Sequence, residues 1–195
     1  MAKRIVVVDG HPDGSDARFV HALAAAYQNA ATQAGHHVRV LTLANMDFTW
    51  LRTDEEFQHG RPVDVILEAQ DDINWCTHMV ILYPLWLGAM PALLKAFFEQ
   101  VLRPGFAFGA GGEGKLPKKL LAGKSARIVV TMGMPALLYR WYFRAHSLKS
   151  LERNILRFTG FAPVRASIVG SVQAMTAKKR SAWLERVRQL GCTGS

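Results

Sequence analysis

Cysteine is scarce in this sequence, and the spacing of the cysteines present matches no metal or disulfide motif. The 195-residue chain has 2 cysteines, Cys76 and Cys192. They stand far apart and form no C-x-x-C motif, so neither a disulfide framework nor a zinc site is indicated. We therefore predict two free thiols and no metal site.

A long uninterrupted apolar run is also lacking. The longest apolar stretch, residues 79–94, is shorter than a bilayer span and is broken by Pro84 and Pro91, which argues against a membrane helix. No apolar segment of the signal-peptide type precedes the first strand-like run. Because 195 residues with 50% apolar content suffice for one core, we predict a single cytoplasmic domain over residues 1–195.

Acidic residues are too few to balance the basic ones. The chain has 24 Lys and Arg against 15 Asp and Glu, a formal net charge of +9. This charge favours anionic partners such as cofactor phosphates, acidic lipid surfaces or nucleic acid. We set nucleic acid aside, because no helix-turn-helix, zinc or aromatic stacking motif accompanies the charge.

Both common nucleotide-binding fingerprints are missing or incomplete. No G-x-G-x-x-G follows the first strand-like run, which disfavours a classical nicotinamide dehydrogenase. Residues 109–115 match G-x-x-x-x-G-K, but Leu116 stands where a phosphate loop needs a Ser or Thr hydroxyl. We interpret this segment as a mobile glycine-rich surface loop and not as a site of nucleotide hydrolysis.

Strand-like and helix-like segments alternate along the whole chain. Runs that are apolar on both faces predict parallel strands, and the amphipathic segments between them predict crossover helices. We predict strands at 5–8, 38–43, 78–83, 126–131 and 164–169, and a long loop at 45–60. We predict helices at 17–34, 63–73, 91–102 and 176–190, and one or two helices at 137–158. Right-handed crossovers then favour an α/β fold with a doubly wound five-stranded parallel sheet, order 2-1-3-4-5, and helices on both faces.

The loops at the carboxyl ends of the strands are the candidate binding site. Sheets of this order bind ligands where the strand order reverses, between the first and third strands. Three loops meet there, at residues 9–16, 84–90 and 132–139. The first enters a helix N terminus that can bind phosphate, and His11, Ser15 and Arg18 are placed to complete the cradle. The alternative is that Ser15 or Asp16 caps the helix and His11 is a turn residue.

Four motifs resemble those of one protein family. They are GHP at 10–12, YPLWLGAMPALLK at 83–95, PGFAF at 104–108 and TMG at 131–133. Together they are similar to the flavodoxin-like NAD(P)H:quinone oxidoreductases, a family that includes modulator of drug activity B and the ancillary subunit of glutathione-gated potassium efflux. The resemblance spans essentially the whole chain, and the second motif is the most specific.

The resemblance also implies roles for individual residues. The flavin phosphate region would contain His11, Ser15, Arg18 and Phe19. The loop along the isoalloxazine ring would be Pro84, Leu85, Trp86, Leu87 and Gly88, with backbone N–H groups facing the reduced ring. Met132 and Gly133 would approach the pyrimidine side of the ring. Tyr139 and His146 would form a hydrogen-bonding catalytic pair for the acceptor, the alternative being that Tyr139 and its aromatic neighbours pack or form a dimer contact.

The family's function follows as an expectation. The resemblance implies ping-pong transfer of two electrons from NAD(P)H through FAD, or alternatively FMN, to a quinone-like acceptor in a homodimer. A second hypothesis is an ancillary regulatory subunit of a potassium-efflux system, in peripheral contact with a membrane partner. A third, a flavodoxin-type single-electron carrier, is disfavoured because such carriers are typically acidic.

Overall fold

The chain is described by a computed structural model over residues 1–109 and 117–195. The glycine-rich segment therefore lies largely outside the described residues, and so does the prediction made for it. In the part of the chain that the structure describes, no helix is long and apolar enough to cross a membrane.

The described residues form seven strands and eight α-helices. The strands are β1 (Arg4–Asp9), β2 (His37–Thr42), β3 (His78–Pro84), β4 (Phe108–Gly109), β5 (Lys118–Lys119), β6 (Ser125–Thr131) and β7 (Val164–Val169). The helices are α1 (Phe19–Gln33), α2 (Asp54–His59), α3 (Asp64–Trp75), α4 (Ala92–Val101), α5 (Ala136–Trp141), α6 (His146–Ser150), α7 (Arg157–Thr159) and α8 (Ala177–Thr193). Short 3₁₀ and π-helical segments cover Leu43–Asn45 and Leu151–Leu156.

The five long strands form one parallel sheet in the order β2-β1-β3-β6-β7. Counting only these strands, this is the predicted order 2-1-3-4-5, so the fold prediction is confirmed. Val7 shows the register at the centre of the sheet, where it pairs with Val40 on one side and with Val80 on the other. Strand order reverses between β1 and β3, which opens a crevice at their carboxyl ends.

The sheet is buried on both faces, as its composition predicts. Ile5 and Val7 pack towards α1 and α8, while Val6 and Val8 pack towards α3 and α4. All four side chains are fully buried. Apolar side chains on both faces are typical of parallel strands covered by crossover helices.

One predicted segment differs from the structure, and the structure decides between the two alternatives for another. The loop predicted at 45–60 contains α2, because Thr53 accepts a hydrogen bond from the backbone N of Glu56 and caps a helix that buries no side chain. The region 137–158, predicted to hold one or two helices, forms two helical stretches, because Arg144 and Ala145 adopt positive φ between α5 and α6. The short antiparallel pair β4–β5, which flanks residues 110–116, was not predicted.

Candidate active site

A cavity of about 430 Å³ lies at the carboxyl ends of the strands. The crevice between β1 and β3 is where doubly wound sheets bind ligands, and this volume is typical of a small-molecule site. The cavity is lined by His11, Asp13, Ala17, Arg18, Phe19, Val20, Pro84, Leu85, Trp86, Thr131, Met132, Gly133, Val172, Gln173 and Arg180. Eight of the predicted site residues are therefore brought together, namely His11, Arg18, Phe19, Pro84, Leu85, Trp86, Met132 and Gly133.

His11 is held as a buried imidazole at the start of the first loop. Its side chain is nearly covered, and its Nδ1 accepts a hydrogen bond from the backbone N of Asp13 at 3.0 Å. Burial, and then the nearby charge of His21, lower the pKa of His11. The neutral ring therefore carries its proton on Nε2. The ring also meets the Trp86 indole edge to face, with 5.8 Å between the ring centres.

His21, on the first turn of α1, is a site residue that the sequence analysis missed. Its Nδ1 lies 2.5 Å from Oδ2 of Asp9, and its Nε2 lies 2.8 Å from the carbonyl oxygen of Asp13. Burial opposes protonation, but the hydrogen bonds to Asp9 and Asp13 outweigh it and raise the pKa of His21. A protonated His21 donates both bonds and ties the first loop to the end of β1.

The Asp13 carboxylate binds two hydrogen-bond donors of the predicted phosphate cradle. Its carboxylate accepts hydrogen bonds from the backbone N of Ser15 at 2.9 Å and from Nε of Arg18 at 2.8 Å. The Ser15 bond, and then the Arg18 bond, lower the pKa of Asp13. Ser15 is outside the cavity lining, whereas Arg18 is part of it.

The N terminus of α1 opens towards the same cavity. Arg18 is its N-cap residue, and no side chain caps the helix there. The following residues, Phe19 and Val20, line the cavity. Uncapped N–H groups and the positive end of the helix dipole favour an anion at this position.

The second loop presents a tight turn. The backbone N of Trp86 donates to the carbonyl of Ala89, and Ala89 donates back, both at 2.9 Å. Leu87 and Gly88 form the tip with φ of 46° and 78°, and Leu87 is fully exposed. These two predicted residues lie outside the cavity lining. The N–H groups of Leu85 and Trp86 are bonded to the carbonyls of Thr131 and Ala89, so the predicted donation from these two groups to a ring does not fit this geometry.

The third loop closes one wall of the cavity against the chain after β7. Met132 and Gly133 line the cavity as predicted. A Cβ on Gly133 would stand 2.3 Å from Oε1 of Gln173. Glycine therefore leaves room for the Gln173 amide against this loop, and a larger residue here would require the Gln173 side chain to move.

The structure corrects the predicted Tyr139–His146 pair. The hydroxyl of Tyr139 is buried, lies 2.7 Å from Oγ of Ser147 and accepts a hydrogen bond from the backbone N of Leu148. His146, the first residue of α6, is exposed. Ala145, just before α6, has a positive φ, and the side chain that reaches the Tyr139 hydroxyl is that of Ser147 and not that of His146. Neither Tyr139 nor His146 lines the cavity.

A fourth loop, after β7, was missed altogether. Its Val172 accepts a hydrogen bond at 2.8 Å from the guanidinium of Arg180, which also lies 5.2 Å from the centre of the Phe19 ring. Arg180 is thereby fixed at the cavity wall. The sequence did hold a signal, because the carboxyl end of every parallel strand opens at the same edge of the sheet.

The sheet order and the crevice between β1 and β3 define an α/β protein of the flavodoxin-like class. The chain belongs to the Flavodoxin_2 family, described by its flavodoxin-like fold, whose model matches residues 3–190.

Two relatives illustrate what the sequence is similar to. A Haemophilus influenzae protein named as an uncharacterized NAD(P)H oxidoreductase is 26% identical over 189 residues, covering 94% of this chain and 92% of the relative. The glutathione-regulated potassium-efflux system ancillary protein KefG of Cronobacter sakazakii is 45% identical over 62 residues. That match covers 32% of this chain and 30% of KefG.

Solved structures share the fold along the whole chain. An NAD(P)H:quinone oxidoreductase from Methanothermobacter marburgensis aligns with a TM-score of 0.82 and 22% identity, covering 99% of this chain and 97% of the other. An FMN-dependent NADH-azoreductase from Bacillus anthracis, in complex with FMN, aligns with a TM-score of 0.77 and 14% identity over 99% of both chains.

Proposed function

We propose that this protein is a flavin-dependent NAD(P)H:quinone oxidoreductase. The observation that carries the proposal is the cavity at the β1–β3 crevice. It joins an uncapped helix N terminus and Arg18 to a wall of Pro84, Leu85 and Trp86. A flavin nucleotide has the same two parts, a phosphate and a planar ring, so the residues present fit it. Relatives and structural neighbours named as NAD(P)H oxidoreductases support the same activity.

The chain's own residues bind and orient the reactants. A bound flavin supplies the two-electron redox chemistry, which side chains alone do not perform. The helix N terminus and Arg18 would hold the phosphate, while Trp86 and Met132 form apolar walls that exclude water. His11, with its proton on Nε2, is the imidazole donor of the cavity wall. We therefore propose that His11, and not Tyr139 or His146, is the group that holds a proton at the cavity.

The nicotinamide and the quinone-like acceptor use this cavity in turn, in a ping-pong sequence. We favour FAD over FMN, because Arg180 and Phe19 extend the wall beyond the phosphate cradle and an aromatic–guanidinium pair suits an adenosine. A cytoplasmic location and a single-domain chain stay predictions.

We further propose that the protein is a homodimer. The chain from α5 onward exposes large apolar side chains at Leu137, Leu138, Trp141, Tyr142 and Phe143. They begin four residues after Gly133, which lines the cavity together with Met132. Several large apolar side chains exposed in one short segment are typical of an interface, and a second copy of this chain would cover them.

The first experiment is an absorbance spectrum of the purified protein with identification of the released flavin, followed by anaerobic addition of NADPH. We expect flavin absorbance that bleaches on NADPH addition and returns on addition of a quinone. Protein that takes up neither FAD nor FMN, or bound flavin that NADH and NADPH both leave oxidised, would refute the proposed function.

The ancillary role in potassium efflux is the second candidate. The local 45% identity to KefG favours it, although this match covers only 32% of the chain. Recovery of an integral potassium-efflux protein with the tagged chain from membranes would support it. If the protein reduced quinones and no such partner were recovered, only the proposal of an enzyme would remain.

A further inference from the structure

Three polar side chains are buried between the sheet and the helices α1 and α8. Tyr27 on α1 is fully buried, His78 at the start of β3 is 3% exposed, and Arg127 near the start of β6 is 7% exposed. Each has one polar atom that finds no hydrogen-bond partner among the described residues, namely the Tyr27 hydroxyl, Nε2 of His78 and Nε of Arg127. Buried polar atoms without partners are rare in folded proteins and call for a specific explanation.

The three side chains lie on one face of the sheet. His78 pairs in register with Ser125, and Arg127 comes two residues later on β6, so His78 and Arg127 are diagonal neighbours on the same face. Val80, two residues after His78, packs in one apolar cluster with Tyr27, so α1 covers this face. Burial raises the pKa of Tyr27 and lowers the pKa of His78, and the charge of Arg127 also acts on both groups. The guanidinium therefore lies at the centre of the three.

The hydrogen bonds that these side chains do make leave three donors available. Nη1 of Arg127 donates to Oγ of Ser167 at 3.3 Å, which leaves Nε free to donate elsewhere. Nδ1 of His78 lies 2.8 Å from Oγ of Ser125. With the Ser125 hydroxyl donating to Nδ1, the ring proton of His78 is on Nε2. The Tyr27 hydroxyl, Nε2 of His78 and Nε of Arg127 are then all donors, so the group that suits them is an acceptor.

The charge around these donors is positive. Burial, and then the charge of Lys3, lower the pKa of His78 to about 4. Burial lowers the pKa of Arg127, and the nearby charges of Arg165 and Arg186 lower it further. In the part of the chain that the structure describes, no ion pair includes Arg127 or Arg165. A buried cation without a counter-charge costs stability unless an anion compensates it.

We propose that one chloride ion is bound between Nε of Arg127, the Tyr27 hydroxyl and Nε2 of His78. The donors supply the hydrogen bonds that a halide accepts, and the halide supplies the charge that the buried guanidinium needs. A water would take the same hydrogen bonds but would leave the positive charge uncompensated, so the charge favours an anion. The site lies towards the amino ends of the strands, whereas the candidate active site lies at their carboxyl ends. It does not depend on the proposed activity.

The first test is thermal unfolding of the full chain while sodium chloride replaces sodium gluconate at constant ionic strength. Gluconate is too large to be enclosed between the three side chains. A ligand that binds only the folded state stabilises it by an amount that grows with ligand concentration. We therefore expect the unfolding midpoint to rise as chloride replaces gluconate. A midpoint that does not rise with chloride would overturn the proposal.

Two variants assign the rise to this site. Arg127→Met should abolish it, and the variant should fold because an apolar residue is often tolerated in place of a buried charge. Tyr27→Phe removes only the hydroxyl, so the same rise should need about tenfold more chloride, the range for a hydrogen bond to a charged group. The matched controls Tyr142→Phe and Arg188→Gln change exposed residues and should respond as the unmodified chain does. A rise that Tyr27→Phe leaves unchanged, or that a control reduces equally, would count against the site.

A crystal soaked in sodium bromide identifies the group that the donors bind. Bromide scatters anomalously and replaces chloride, so we expect an anomalous difference peak in contact with Nε of Arg127 and the Tyr27 hydroxyl. The peak should be absent from Arg127→Met. A water at this position, or a direct contact of Arg127 with Tyr27 and nothing between them, would refute the proposal whatever the unfolding data show.

Discussion

At the residue scale, opposite charges hold the loop that follows β1. Protonated His21 ties Asp9 at the end of β1 to the carbonyl of Asp13, and the Asp13 carboxylate in turn holds Arg18. His11, placed between them, stays neutral because burial and the charge of His21 disfavour a second cation. The site thus depends on one charged and one neutral histidine, which makes it sensitive to pH and to single substitutions.

His21 should make stability depend on pH. Because the folded state raises the pKa of His21, its contribution is fully present below the ordinary value of about 6.5 and is lost as the pH rises through the raised pKa. We expect His21→Gln to lower the free energy of unfolding more at pH 6 than at pH 9, by denaturant titration. His37→Gln, at an exposed position on β2, is the control. An equal effect of His21→Gln at both pH values would contradict this account.

Asp13 should compete with a bound phosphate for Arg18. Asp13→Asn keeps an acceptor for the backbone N of Ser15 but releases the guanidinium, so we expect the dissociation constant for flavin to fall severalfold. Arg18→Gln should raise it by about tenfold, the range for a hydrogen bond to a charged group. Fluorescence titration of the apoprotein with FAD and FMN measures both. The control Asp16→Asn makes the same charge change in the same loop but removes no hydrogen bond to Arg18. If Asp16→Asn lowered the dissociation constant for flavin as much as Asp13→Asn, Asp13 would not be competing with the phosphate for Arg18.

At the element scale, apolar runs determine what the sequence can predict. The strand predicted at 78–83 lies within β3, and the helix predicted from Pro91 is α4, because both bury mostly apolar side chains. α2 was missed because it buries nothing, although the T-x-x-E pattern at Thr53 and Glu56 is a capping signal. The contacts of His21 with Asp9 and of Arg180 with Phe19 could not be predicted, since they join segments through the fold and leave no local pattern.

The packing of α1 against α8 depends on a glycine. A Cβ on Gly191 would stand 2.5 Å from the carbonyl oxygen of Tyr27. In an open helix Gly→Ala gains about 1 kcal/mol of helix propensity. Here we expect Gly191→Ala to destabilise by about 1–3 kcal/mol instead, because backbone must move. Urea unfolding measures it, with Gly14→Ala as control, where a Cβ finds ordinary 3.6 Å contact with Ala44. Stabilisation by Gly191→Ala would show that the helices are not closely packed there.

At the scale of the whole molecule, the distribution of apolar surface is uneven. A single chain leaves large apolar side chains exposed in two places. The first is the second loop, at Trp86 and Leu87, and the second is the segment with Leu137, Leu138, Trp141, Tyr142 and Phe143. Both groups stand at the edge of the sheet where the strands end and the candidate site lies. A stable interface buries on the order of 1,000 Å² or more with good packing, and exposed aromatic residues are typical of its centre.

We expect the chain to be a dimer at micromolar concentration and the double variant Leu137→Glu/Trp141→Glu to be a monomer, by sedimentation velocity. Two carboxylates at the centre of an apolar contact would each lose hydration without gaining a partner, so they oppose association. They disturb the folded chain much less, because positions 137 and 141 are already exposed in the single chain. Trp50→Glu changes another exposed tryptophan, after β2, and should leave the dimer intact.

The monomeric variant should also lose most of its NADPH-dependent quinone reduction, because α5 follows the loop that lines the cavity. Its unfolding midpoint should stay that of a folded chain. An unmodified chain that is monomeric and fully active would exclude the second copy from this surface, and equal dissociation by Trp50→Glu would move the interface elsewhere.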